Sequence, residues 1–188
     1  MMLLDEIEVL PWLTIHFVEN NGMAFGIEIF GKLFLSLFRI IAIGYLFYFI
    51  NGMVKKKVKP VIHIAFSLIL AGAIGNMVDS AFYGYIFEHS MGQISTFMPE
   101  DGGYAPILYG KVVDMIHLNL IEGYYPTWLP FYGGDYFSHF RPVFNLADSA
   151  ISIGVFILIL YNKSLSLAFQ PLPKKSTNTD SEVNQEIA

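Results

Sequence analysis

The chain has 188 residues; 54% are hydrophobic, 16% aromatic and only 14% charged, and the net charge is −5. A soluble domain usually carries about 25% charged residues, so this balance disfavours a water-soluble globule; a disordered chain needs the opposite composition and a nucleic-acid binder the opposite sign. There is no cysteine, which removes disulfides, thiolate metal sites and a cysteine nucleophile.

The start, MMLLDEIEVLPW, opens with acids, whereas a signal peptide opens with basic residues and runs into an apolar stretch. Leu13 to Phe25 (LTIHFVENNGMAF) begins β-branched and aromatic and ends in Asn-Asn-Gly, which predicts a strand and then a turn. Leu33 to Ile50 and Val61 to Val78 are apolar runs close to the roughly 20 residues that cross a bilayer. Val143 to Tyr161 is the third such run. Between the second and third lies an outer segment rich in Tyr, Phe, Trp, Gly and Pro, with Gly102-Gly103 and Gly133-Gly134 as turn signals. Its aromatic rings suit the headgroup level. The polar stretch from Pro171 onward reads as a solvated tail. The fold expected is an α-helical integral membrane protein with three transmembrane helices, at 33–50, 61–78 and 143–161. They belong to one membrane-embedded domain over 1–162, followed by a cytoplasmic polar tail over 163–188.

Lysine placement orients the spans. The loop after the first holds Lys55, Lys56, Lys57 and Lys59, and the tail holds Lys163, Lys174 and Lys175. Residues 80–142 carry only Lys111 and Arg141 as cations, against six acids. Cytoplasmic loops collect Lys and Arg, so 1–32 and 80–142 are expected outside.

Polar residues cluster at the outer ends. Gly72, Gly75, Asn76 and Asp79 share one face of the second span, and Asn145, Asp148, Ser149 and Ser152 share one face of the third. Ionisable groups inside spans are costly and usually functional. Asp114 stands within the apolar run VVDMI; burial there raises a carboxyl pKa, which suits proton transfer. Two carboxyls beside asparagine donors suggest an aspartyl hydrolase. Close carboxyls share a proton, one acting as base and the other as donor. The five histidines show no H-E-x-x-H spacing, so neither metal nor cofactor is expected. A proton or cation path through Asp79 and Asp148 is the rival class. It needs polar residues at both ends of the spans, whereas here they gather at one.

Four blocks carry a resemblance. They are ENNGMAFG at 19–26, AGAIGNMVD at 71–79, VVDMI at 112–116 and FNLADSAI at 144–151. In this order the chain resembles the lipoprotein signal peptidase family (signal peptidase II, peptidase family A8), aspartyl endopeptidases of the bacterial inner membrane. The resemblance implies that Asp114 and Asp148 are the catalytic dyad. It implies that Asn20, Gly22, Asn76, Asp79 and Asn145 orient the dyad or bind substrate. The implied reaction removes signal peptides from diacylglyceryl-modified prolipoproteins, cutting before the lipidated Cys at the periplasmic face. The partners implied are those substrates and membrane lipids, with no nucleic acid, and a monomer is expected. The resemblance also implies an outer β-cradle around the site and a loop after Tyr85 that clamps the substrate.

The family usually has four transmembrane helices, and the one preceding the outer strand is expected upstream of Met1. Where the family usually has Arg after the acid of the second block, this chain has Ser80. Arg141, just outside the third span, either supplies the replacement cation or anchors the chain at the interface; Arg39, in the first span, either snorkels outward or lines the site. The stretch between Tyr85 and Lys111 is longer than is usual in the family.

Overall fold

A computed structural model describes residues 2–21, 31–56, 58–120, 122–138 and 142–170. The chain opens with two antiparallel strands, β1 (Glu6–Leu10) and β2 (Leu13–Asn20). β2 bears out the expected strand. β1 lies in the acidic start, where Glu-Ile-Glu-Val alternates with period two.

Helix α1 (Lys32–Val54) is roughly 35 Å long at 1.5 Å per residue, enough to span a bilayer. Its outward side is apolar: Phe38, Ile41, Tyr45 and Tyr48 are all exposed. Helix α2 (Pro60–Val78) starts with proline in its first turn, where the missing N–H costs nothing. It continues through a π-helical segment, Asp79–Tyr83, and a last turn, α3 (Gly84–Ile86). Such π segments are often found at functional sites.

The loop after α3 folds back onto the π segment. Gly110 makes this possible, because a Cβ there would come 2.6 Å from the Asp79 carbonyl oxygen. The chain then enters β3 (Val112–Leu118), which pairs with β2 so that Val18 faces Asp114. The turn signals are borne out at Gly102 and Gly134, both with φ of +87°. An aromatic hairpin follows, β4 (Glu122–Tyr124) with β5 (Tyr136–Ser138). Strand β6 (Val143–Phe144) completes a four-stranded sheet in the order β1-β2-β3-β6.

Helix α4 (Leu146–Leu160) lies within the apolar run at 143–161. Val143 and Phe144 belong to the sheet, and Asn145 caps the helix. The 15-residue helix is roughly 22 Å long, shorter than α1 and α2. A two-residue strand and a cap carry no period of their own, so the apolar run continues unbroken through them.

α2 and α4 pack antiparallel through small residues. A Cβ on Gly72 would sit 2.3 Å from the Ala147 carbonyl oxygen, and one on Gly154 would sit 2.6 Å from that of Ala65. At the end away from the sheet, Met53, Val58, Ile62, Phe66 and Ala168 form the apolar core. Ala168 lies on α5 (Asn162–Phe169). Lys56 Nζ donates to the Ala168 carbonyl there, at 2.5 Å.

Candidate active site

The sheet and the outer ends of α2 and α4 meet in a cluster of acids and asparagines. Asp114 comes from the middle of β3 and is only 3% exposed. Asn20, the last residue of β2, donates from Nδ2 to Asp114 Oδ2 at 3.1 Å. Asn145 Nδ2 donates to Asp114 Oδ1 at 2.9 Å and to Asn76 Oδ1 at 2.9 Å. Asn76 Nδ2 donates in turn to Asp148 Oδ1 at 2.8 Å. Asn20, Asp114, Asn145, Asn76 and Asp148 thus form one continuous network.

Asp148 is held by the start of its own helix. Asn145 and Asp148 form a reciprocal capping box: Asp148 N donates to Asn145 Oδ1 at 2.9 Å, and Asn145 N donates to Asp148 Oδ2 at 3.3 Å. The box satisfies otherwise orphaned N–H groups at the helix start. Asn145 therefore does not share a helical face with Asp148; it precedes the helix and reaches both carboxyls from the cap.

Asp79 stands at the entry to the π segment, and its Oδ2 accepts from Val113 N at 3.2 Å. That bond ties α2 to the strand residue next to Asp114. Gly22 and Arg141 lie outside the described residues. Of the two arginines considered from the sequence, Arg39 is the one seen at the cluster. Its Nη1 donates to Ser80 Oγ at 2.8 Å, and Ser80 is fully buried.

A second pair was not foreseen. Lys111 Nζ meets Glu19 Oε2 at 2.9 Å, and Ser90 Oγ donates to Glu19 Oε1 at 2.5 Å. Lys111 also lies over the Tyr104 ring. These contacts fasten the loop after α3 to β2. The long-range pairing of Glu19 with Lys111 leaves no spacing signal in the sequence.

Burial is the main cause that pushes the Asp114 carboxyl up to about 6; the donated hydrogen bond from Asn20 pulls the other way, and Asp148 pushes upward again. A carboxyl poised there can hold a proton near neutral pH and release it. Each oxygen of Asp114 and Asp148 accepts one hydrogen bond within the network. A carboxylate offers about four lone-pair sites in all, so capacity remains for a water or a shared proton.

Comparison with known proteins adds a family. Residues 1–163 match the family model described as Signal peptidase (SPase) II. A lipoprotein signal peptidase of Porphyromonas gingivalis is 51% identical over 179 residues, which cover 93% of this chain and 79% of that protein. A lipoprotein signal peptidase of Staphylococcus aureus is 31% identical over 159 residues, covering 83% and 69%. Among solved structures, a bacterial membrane enzyme determined at 1.9 Å by the in meso method superposes with a TM-score of 0.53. It shares 29% identity over 86% of this chain and 77% of that one. A second, at 2.3 Å, gives a TM-score of 0.54 with 27% identity, covering 93% and 80%.

Proposed function

The chain belongs to the signal peptidase II family, and from that premise we propose that Asp114 and Asp148 are the carboxyl pair with which it cuts its substrate. It is an aspartic-type peptidase that removes signal peptides from prolipoproteins. The observation that carries the site assignment is Asn145. This one side chain donates to Asp114 and caps the helix turn that presents Asp148. Residues 31 apart along the chain are thereby coupled to one cluster at the outer end of the helices.

The chemistry follows from the two environments. Asp114, buried and raised, is the carboxyl that holds the proton, and Asp148 takes the part of the base. Asp148 takes a proton from water as the water oxygen bonds to the scissile carbonyl carbon. Asp114 gives its proton to the carbonyl oxygen, leaving a neutral tetrahedral intermediate. As the C–N bond breaks, the amide nitrogen receives the proton now on Asp148, and an intermediate hydroxyl returns one to Asp114. The pair ends as it began, and one water has been consumed. Asn20, Asn76 and Asn145 hold the pair in register, and Asp79 braces the strand that carries Asp114.

The substrate is a diacylglyceryl-modified prolipoprotein, cut on the N-terminal side of its lipidated Cys. Its signal-peptide helix enters between the spans, with its acyl chains left in lipid. The exposed apolar side of α1 suits a multi-pass protein of the bacterial inner membrane. The lysine-rich α1–α2 loop faces the cytoplasm and the acid–asparagine cluster faces the periplasm. The enzyme works as a monomer. The test is cleavage of a lipidated prolipoprotein by purified protein, with product mass fixing the cut. Release of the free signal peptide, lost in Asp148→Asn at equal protein, is the expected result; unchanged cleavage by that variant removes the assignment.

A further inference from the structure

Three carboxyls, those of Asp79, Asp114 and Asp148, converge where the sheet meets the helices. Carboxylates this close resist joint ionisation unless a cation balances them. Lys111 is committed to Glu19 on the far side of β2. Among the described residues, Arg39 on α1 brings a cation to Ser80, next to Asp79.

We infer that Arg39 is a positioning residue for the catalytic pair, with its guanidinium moored by Ser80 so that its positive charge balances the carboxyl cluster. This rests on the site assignment above and adds a member to it. Three observations support the inference. First, α1 is fixed in rotation one turn earlier, where buried Ser36 donates from Oγ to the Leu108 carbonyl at 2.7 Å. Arg39 is three residues on, so it shares that inward side. Second, Ser80 is fully buried on the π segment next to Asp79, and its Oγ accepts from Arg39 Nη1. A buried hydroxyl accepting a charged donor is a fixed anchor. Third, Ser80 directly follows Asp79, whose carboxyl accepts from Val113 N beside Asp114, so the guanidinium is anchored at the edge of the acid cluster.

An arginine here costs more than an apolar residue, since ionisable groups within a span are expensive. α1 otherwise carries Lys32 at its start and Asn51 near its end, with apolar, small or tyrosine side chains between them. The charge of Arg39 lies inside that stretch and is hydrogen-bonded to a buried hydroxyl. The groups that set its effect are Asp79 and Tyr83 on the π segment, Asp114 on β3, Asp148 on α4, and the Glu19–Lys111 pair with Tyr104 behind β2. Removing the cation leaves the acids to repel one another, so the pair holds its protons more tightly.

The test is the pH profile of kcat/KM for Arg39→Gln, with Arg39→Lys beside it. In Arg39→Gln, kcat is expected to fall about tenfold or more with KM little changed. Both limbs of the profile should move up by about one pH unit, the low end for losing an opposite charge. Arg39→Lys keeps the charge and should restore the limbs to near their normal positions. Should Arg39→Gln fail to accumulate, Ser80→Ala carries the test. It leaves every charge but unmoors the guanidinium, and its limbs must move the same way by less. Limbs that stay in place in these variants overturn the inference, whatever the loss of rate. Failure of the site assignment itself reads out separately, as retained cleavage by Asp148→Asn.

Discussion

The two ends of the α2–α4 pair are held by different forces. At the inner end, Ile62, Phe66, Met53 and Ala168 pack as an apolar cluster. At the outer end, Asn76, Asp79, Asn145 and Asp148 are joined to each other and to β3 by directed hydrogen bonds. An apolar cluster tolerates exchanges that keep volume. A buried polar network does not, because each lost partner leaves a group desolvated and unsatisfied. The same two helices thus have one end that sets stability and one that sets geometry.

The largest effects belong to the outer end. Asp114→Asn and Asp148→Asn should each lower cleavage by at least about 10²-fold, the low end for losing general acid–base catalysis. Groups acting as a unit are strongly non-additive, so the double variant should be little worse than either single one. Rates measured at matched folded protein check both points, and multiplying losses would break the idea of a coupled pair.

Gly72 comes next. A Cβ there meets a backbone oxygen, which cannot rotate away, at 2.3 Å, whereas at Gly75 it meets the Ala147 Cβ at 3.0 Å. Gly72→Ala should therefore force α2 and α4 apart and cut activity about tenfold or more, at an overpacking cost of about 1–3 kcal/mol. Gly75→Ala should lose clearly less in the same assay. Equal losses would show that helix spacing does not govern the site.

Asn20→Ala sharpens the comparison through pH. Asn20 donates to Asp114 and so favours its ionised form. Without it, the Asp114 carboxyl should rise further above about 6, and the alkaline limb of kcat/KM should move to higher pH. Stability has a matching sign. A carboxyl raised from 3.8 to about 6 stabilises the fold fully below the lower value and loses that contribution as pH rises through the upper one. A downward shift of the limb would reverse the assigned role of Asn20.

The smallest catalytic effect is expected at the inner end. Ile62 is fully buried, so Ile62→Ala should lower thermal stability, with about 2–5 kcal/mol as the range for such truncations in cores. The rate per folded molecule should stay within about twofold. A catalytic loss as large as that of Gly72→Ala would mean that the two ends are not separable.

Much of the outer end was legible in the sequence because its groups stand out chemically. Asp114 sits among Val and Met, and Asn76 and Asp79 interrupt an apolar helix. The apolar runs of α1 and α2 were equally plain. What escaped were features set by pairs distant in the chain. Arg39 with Ser80 and Glu19 with Lys111 join residues 41 and 92 apart, and nothing local announces either. The start of α4 escaped for the opposite reason. Its signal, Asn145 followed three residues later by Asp148, is local and resembles a capping box. The apolar stretch around it masked the boundary. β1 was hidden in a short acidic segment whose alternation spans only a few residues.

The capping box also bears on how the cluster is assembled. One oxygen of Asp148 is aimed by a residue three positions away, and the other accepts from Asn76, 72 positions earlier. Asp114 depends on Asn20, 94 positions earlier, and on closure of β2 against β3. Neither carboxyl of the proposed pair is therefore complete from its own neighbours: each takes a hydrogen bond from a residue far away in the chain, and the site is a property of the closed fold.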